Sequence, residues 1–561
     1  MYRHAYRAGR VWFLWLLLAG ISSQPAWADT TCGNPVLAPP VTGTCSVVAG
    51  SATRVLRGDI LAPTELLKNG EVVVDGNGTI VCAACNCSAA SGYDGATRIE
   101  CAQGLIAPGL IDSLRYITYD QNSPATDNGE RYEDRQDWRK GNNGHTAIPI
   151  SGGASNAQKS WGELRALIAG TTSMISSGST AGLVRNLASA ADQMGLGQAA
   201  VDFVSFPLGD GNGVTHVGDC SYPAIIPPPN GLVLDMVVAE GIDAAAHNEF
   251  LCLSGQQTGA VDLLANASIM RGIAVTAGDV ELMHQAGSKL VWSPRSNISL
   301  YGNTADVRMY KASGVPVALG TDWMPTGSLN LQRELKCADE LNQYYYDHAL
   351  TDRELVDMVT LNGALVAQMD DVIGKIEAGK VADLTIFNAS THAGYRALID
   401  AEPADVVLVM RGGKVLYGDE TVLSGLALSS CDSLDVCGTA KQVCLLDEIG
   451  QTLTQLQTSV PGIYPALACG QPAFERTCKP QRGAAVNGST TYTGDITLVD
   501  QDGDGIVDVL DNCPAVFNPV RPFDNGIQAD GDGDGFGDSC DACPNLGGDG
   551  GCLQIFKDGF E

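Results

Sequence analysis

The sequence predicts an α/β chain: a (β/α)8 TIM-like barrel, a small composite β-sandwich domain, and a disulfide-rich, acidic C-terminal tail. Three observations carry that reading. Between residues 106 and 370, eight apolar strand candidates alternate with helical stretches, the count of a closed (β/α)8 barrel. Short apolar runs separated by Gly and Asn turns flank this region on both sides. Past residue 498, aspartates recur at alternate positions beside glycine and cysteine.

Taken in order, residues 1–28 read as a signal peptide. Arg3, Arg7 and Arg10 form a basic start, residues 11–19 an apolar middle, and Ala26-Trp27-Ala28 a small-x-small cleavage site. The apolar run is too short to span a membrane, and no later stretch reaches about 18 apolar residues. A secreted or periplasmic chain that is not transmembrane is the expectation. Residues 29–105 read as the first part of the composite β domain; Val72-Val73-Val74-Asp75-Gly76-Asn77-Gly78-Thr79-Ile80-Val81 is strand, turn, strand. Barrel strands are predicted at 105–111, 172–175, 182–185, 201–206, 233–238, 268–273, 289–292 and 315–319. Helices are predicted at 161–168 and 352–368, and the Gly- and Pro-rich stretch 209–231 as a long loop. Residues 371–425 return to short strands that should pair with the N-terminal ones. Residues 426–498 hold five cysteines and one helical stretch, 442–456, and read as a disulfide-stapled spacer.

Formal charge is −30, and cleavage after Ala28 would remove three arginines and no acid, giving −33. Such a surface repels nucleic acid and anionic membranes and attracts cations. Eighteen cysteines in an exported chain point to disulfides, although Cys82-x-x-Cys85 also has zinc spacing. Pairing is not readable from spacing.

Two segments carry a family resemblance over about residues 53–425. Ala107-Pro108-Gly109-Leu110-Ile111-Asp112 is an apolar strand ending, and Ile373-Gly374-Lys375-Ile376-Glu377-Ala378-Gly379-Lys380-Val381-Ala382-Asp383-Leu384 leads out of the barrel. Both resemble the amidohydrolase superfamily, whose members hydrolyse C–N and related bonds with metal-activated water. That resemblance implies His-x-His after the first strand, His-x-x-Glu after the fifth, His-Gly on the sixth and Asp on the eighth. Here stand Leu114-Arg115-Tyr116, Val237-Val238-Ala239-Glu240, Arg271-Gly272 and Asp322. Ser293-Pro294-Arg295-Ser296-Asn297 matches the loop after the seventh strand. Only Asp322 remains of five ligand positions, whereas a catalytic transition metal needs roughly three protein ligands and an open place for water. Zinc or another barrel metal is therefore not expected. Arg271 is expected to fill the vacant space and pair with Asp322 and Glu240. Glu240 and Asp322 are the candidate catalytic carboxylates, with His145 the one histidine read as lining the mouth.

In the tail, Asp500, Asp502, Asp504, Asp508 and Asp511 precede Asn512-Cys513-Pro514; Asp530, Asp532, Asp534, Asp538 and Asp541 repeat the arrangement around Cys540. Oxygen ligands, high negative charge and turn glycines favour Ca²⁺ over zinc. The pattern resembles thrombospondin type 3 repeats, which bind calcium and are tied by disulfides; the resemblance suggests Cys513 with Cys540. Residues 499–545 are assigned to these repeats and 546–561 to a tail, with local packing and sorting both left open.

Three readings follow: an exported barrel that binds a small-molecule ligand without turnover; an active hydrolase at a metal-free or displaced site of His145, Glu240 and Asp322; and a calcium-dependent adhesion or structural protein making protein or cell-surface contacts. Gly209-Asp210-Gly211-Asn212-Gly213 lacks the Lys-Ser/Thr of a phosphate loop, and no Gly-x-Ser-x-Gly elbow is present.

Overall fold

The computed structural model describes residues 29–178, 182–227 and 233–547. The expected signal peptide and the last residues of the tail lie outside the described residues.

Eight parallel strands form the barrel: Leu110–Arg115, Thr171–Ser176, Arg185–Asn186, Val201–Val204, Val233–Val238, Ser268–Arg271, Lys289–Trp292 and Val317–Leu319. They fall into parallel groups of three and five. Backbone bonds join the groups at both seams. Val201 N–H donates to the Leu187 carbonyl at 3.0 Å; Asp322 N–H donates to Leu114 at 2.8 Å, and Tyr116 N–H returns to Asp322 at 2.9 Å. Ile111, Ile175, Leu187, Val201, Val237, Met270, Val291 and Ala318 fill the interior. Leu234, Met236 and Val238 face the opposite way and pack in the outer core with helical residues such as Leu164 and Leu167, as a period of two requires.

Three expected elements are corrected. The stretch 105–111 is split at Gly109: Ala96–Pro108 belongs to the β domain, and the barrel strand starts at Leu110. A Cβ at Gly109 would meet Thr172 Oγ1 at 2.3 Å, so only glycine lets the chain pass between the two sheets. The helix expected at 352–368 is two, Asp352–Asp357 and Leu361–Val366, separated by a non-helical Thr360. The helix expected at 442–456 starts instead in a strand, Thr439–Val443, followed by short helices Leu446–Ile449 and Leu453–Ser459. Gly450, at φ +68°, ends the first of these.

The composite β domain is one hydrogen-bonded sheet of eleven strands. Ala96–Pro108 and Leu384–Asn388 pair antiparallel and join its N- and C-terminal contributions. Leu56, Val72, Ile99, Ile386, Leu408 and Met410 share its core. Two strands of the Cys-rich stretch, Asp432–Val436 and Thr439–Val443, extend the sheet beyond Lys414–Asp419.

Disulfides Cys32–Cys85, Cys45–Cys101 and Cys82–Cys87 staple the N-terminal strands, so Cys82 and Cys85 are not zinc ligands. Cys337–Cys478 ties the spacer to a barrel helix, Leu331–Tyr344. Cys513 pairs with Cys540. No described helix is long and apolar enough to cross a membrane.

Candidate functional site

The C-terminal ends of the strands open into a cavity of about 280 Å³. Its floor is acidic and basic at once. Arg271, at the end of the sixth strand, places Nη1 2.7 Å from Asp322 Oδ2 and Nε 3.5 Å from Glu240 Oε1. All three residues are at most 4% exposed. Ser296, at the start of helix Pro294–Tyr301, also donates to Asp322 Oδ2. Tyr301 donates to Glu240 Oε1 at 2.9 Å, and Trp138 Nε1 donates to Tyr301 at 2.9 Å. Burial works against the charge on Arg271, but Asp322 and Glu240 outweigh it and hold the guanidinium above its ordinary pKa. Asp322 Oδ1 and Arg271 Nε have no hydrogen-bond partner.

The backbone at this floor is strained. Ala239, Arg271 and Asp322 have φ of +55°, +88° and +63°. Non-glycine residues adopt that region at a cost of order 1–3 kcal/mol each, typically where packing forces a side chain into a site.

Aromatic rings wall the cavity. Tyr119 lies 5.5 Å from Trp323, edge to face, and Trp323 5.0 Å from Trp138. Tyr116 lies 6.2 Å from Tyr119, and its hydroxyl meets Ser205 Oγ at 3.1 Å. Burial raises the Tyr116 phenol well above its ordinary range, so it stays protonated. Phe206 closes one side under Arg135 and Arg139. None of these aromatics except Tyr116 stood out in the sequence. They come from loops and a short helix, Arg135–Lys140, whose positions only the closed barrel defines.

The residues at the family's ligand places do not suit a divalent metal. Leu114 and Val237 are apolar and packed in the barrel interior. Tyr116 offers a neutral phenol, and Arg271 a fixed positive charge already seated on Asp322.

His145 does not join Glu240 and Asp322, contrary to expectation. It is absent from the cavity lining. Its Nδ1 meets Glu130 at 3.0 Å and its Nε2 meets Glu133 at 2.7 Å, beside the Tyr132 ring. Burial opposes protonation of His145, but the two glutamates outweigh it and raise its pKa. Arg482, from the spacer, holds the other oxygen of Glu133 and the carbonyls of Tyr132 and Tyr301. Sequence reading missed this docking because nothing local marks Arg482.

In the tail the structure brings together Asp500, Asp502 and Asp504, and separately Asp530, Asp532 and Asp534; within each triplet the ligand atoms lie within 4.8 Å of one another. Each triplet repeats one local plan. Asp500 accepts from Gly503 and Gly505 N–H, and Asp530 from Gly533 and Gly535 N–H. These four glycines have positive φ, and a Cβ at Gly505 would meet the Thr491 carbonyl at 2.2 Å. Asp502 Oδ2 and Asp532 Oδ2 are buried without partners. Burial and neighbouring carboxylates raise Asp502 to about 8 and, more weakly, Asp504 to about 7. Orphaned oxygens among crowded carboxylates fit a hard cation. The other predicted ligands take a different part. Asp508 and Asp538 accept from the N–H of Gln501 and Gly531, and Asp511 and Asp541 from that of Cys513 and Cys543.

Comparison with known proteins agrees with this architecture. The chain carries an amidohydrolase family match over residues 237–416 and a thrombospondin type 3 repeat over residues 492–521. It is similar to a 5-methylthioadenosine/S-adenosylhomocysteine deaminase of Halobacterium salinarum, with 33% identity over 29% of this chain and 40% of that one. An imidazolonepropionase of Caldanaerobacter subterraneus is 34% identical over 23% of this chain and 32% of its own length. The matches thus span two fifths or less of these two relatives. Among solved structures, a zinc-bound adenosine deaminase from Xanthomonas campestris aligns at 18% identity and a TM-score of 0.48, covering 69% of this chain and 93% of that one.

Proposed function

We propose that this is an exported protein whose amidohydrolase-type barrel binds a small-molecule ligand without a catalytic metal, and whose C-terminal repeats bind calcium. The observation that carries the first half is Arg271. Its guanidinium pairs with Asp322, the one ligand position that remains, and with Glu240, and so puts a fixed positive charge where a divalent ion would be repelled. The two aspartate triplets support the second half: each offers converging carboxylates with one buried oxygen lacking any partner. Calcium bound there would neutralise the triplets and order a segment with little apolar core of its own. Abundant disulfides and the thrombospondin-type repeat support an extracellular setting.

The second reading is C–N bond hydrolysis at the same floor. Retention of Glu240 and Asp322, and the deaminase names of several relatives, favour it. Elemental analysis of the mature protein, before and after dialysis against a chelator, separates the two. We expect calcium at two or more ions per chain and no stoichiometric transition metal. Stoichiometric zinc, iron or manganese, together with ammonia release from amino-heterocycles that stops on metal removal, would overturn the binding reading. Arg271→His should also remain free of transition metal, because Leu114, Tyr116 and Val237 still offer no imidazole.

A further inference from the structure

Two of the cavity's three arginines are held by carboxylates, and the third makes no ion pair among the described residues. Arg135 pairs with Asp210 and, at 3.2 Å, with Glu249. Arg271 is held by Asp322 and Glu240. Arg139, the third arginine of the cavity, forms no ion pair among the described residues. It donates to the Gln136 side-chain oxygen and to the Gly211 carbonyl at 3.2 Å, and lies 4.3 Å over the centre of the Phe206 ring. Burial and the neighbouring Arg135 act against its charge and outweigh the favourable fields of Glu240 and Asp210. A half-buried guanidinium that makes no ion pair and faces a cavity is a receptor for an anion, and its planar fork suits a carboxylate in particular.

The rest of the wall narrows the class. Tyr119, Trp323 and Trp138 form a continuous aromatic face, and the indole N–H groups are already spent on Tyr301 and Thr326. What that face offers a ligand is ring contact rather than hydrogen bonds. At the floor, the carboxylate-bearing Glu240 and Asp322 both line the cavity and favour a ligand that brings an N–H or O–H donor. A volume of about 280 Å³ lies at the small end for ligand sites, room for one ring and its substituents.

We propose that the barrel mouth recognises a small aromatic carboxylate carrying a hydroxyl or amino donor. The carboxylate meets Arg139, the ring packs on the Trp138–Trp323 face, and the donor faces the floor formed by Glu240 and Asp322. This rests on the reading of the barrel as a binding site and adds the ligand's chemistry to it. A quaternary ammonium, the other common guest of aromatic walls, is disfavoured because Arg139 already covers Phe206 and Arg271 lies beneath.

Titration calorimetry on the full mature chain, calcium-loaded and with disulfides intact, tests this with three probes: 4-hydroxybenzoate, its neutral isostere 4-hydroxybenzamide, and benzyltrimethylammonium. We expect the acid to bind at least tenfold more tightly than the amide, and the cation not at all. Arg139→Gln should erase the preference for acid over amide while the unliganded protein still melts in one cooperative transition. Arg139→Lys, which keeps the charge but loses the fork, should retain part of it. Equal binding of acid and amide to the wild type, or tightest binding of the cation, would sink the carboxylate assignment while leaving the binding barrel standing. Binding of none of the three would remove both.

Discussion

Arg271 shows how one side chain redirects a site. Its pair with Asp322 and Glu240 is fully buried, so removing only the cation would strand two carboxylates in a low-dielectric floor. Breaking such a pair from one side costs about 3–5 kcal/mol. Arg271→Met should therefore destabilise strongly, and Arg271→Met with Asp322→Leu should cost less than the single change, as measured by chemical denaturation in a double-mutant cycle. A double-mutant loss equal to the sum of the two single losses would mean that the pair does not couple. Glu334 offers a second residue-scale test. Burial raises its pKa from 4.5 to about 8, despite the nearby Arg295. The native state thus keeps a proton that the unfolded chain releases. The stability this contributes is present below about pH 4.5 and is lost as pH rises towards 8. Melting temperature should decline across that window, and Glu334→Gln should flatten the decline; an unchanged slope would count against a protonated Glu334.

At the scale of the element, the barrel closes where the first strand meets the residues after the eighth. Gly320 makes that approach possible: a Cβ there would lie 2.5 Å from Leu114 Cβ and 2.6 Å from its backbone nitrogen. Gly320→Ala should push the seam apart, at about 1–3 kcal/mol, typical of overpacking. The loss would register in thermal melts, with weakened ligand binding because Asp322 sits two residues on. Most elements at this scale were legible. The fifth and seventh strands fall at their predicted positions, 233–238 and 289–292, since short apolar runs bounded by turns mark buried strands. The failures have one cause. The run 105–111 is apolar throughout, and a pattern of hydrophobicity does not reveal that it serves two different sheets. Thr360 and Gly450 break apolar periodicities that look continuous on paper, because the break is in backbone angle rather than in polarity.

Across the whole molecule, the acidic repeats lie on the barrel. Arg521 donates to the carbonyls of Ile273 and Val275, both at 3.2 Å, just beyond the strand that ends in Arg271. Phe523 stacks on His247 at 5.0 Å, Asn545 donates to the Ala277 carbonyl at 3.0 Å, and Ser539 binds Asp306. Calcium that orders the repeats should therefore stabilise the barrel as well. An ion at each proposed site would contribute about 2.7 kcal/mol at a free calcium concentration a hundredfold above its Kd. Chelation should lower the melting of barrel and tail together by several degrees, and Arg521→Gln should split the transition in two; a barrel transition indifferent to calcium would show the contact to be passive. The sequence by itself determined the barrel's class, the absence of histidine from the family's ligand places, and both aspartate loops, because strand pattern, ligand type and turn chemistry are written in neighbouring residues. Only the tertiary structure decided that Arg271 occupies the floor, that His145 turns away to Glu130 and Glu133, and that Tyr119, Trp138, Phe206 and Trp323 meet around one cavity. Those residues lie far apart along the chain, and nothing local to any of them encodes the loops that close the distance.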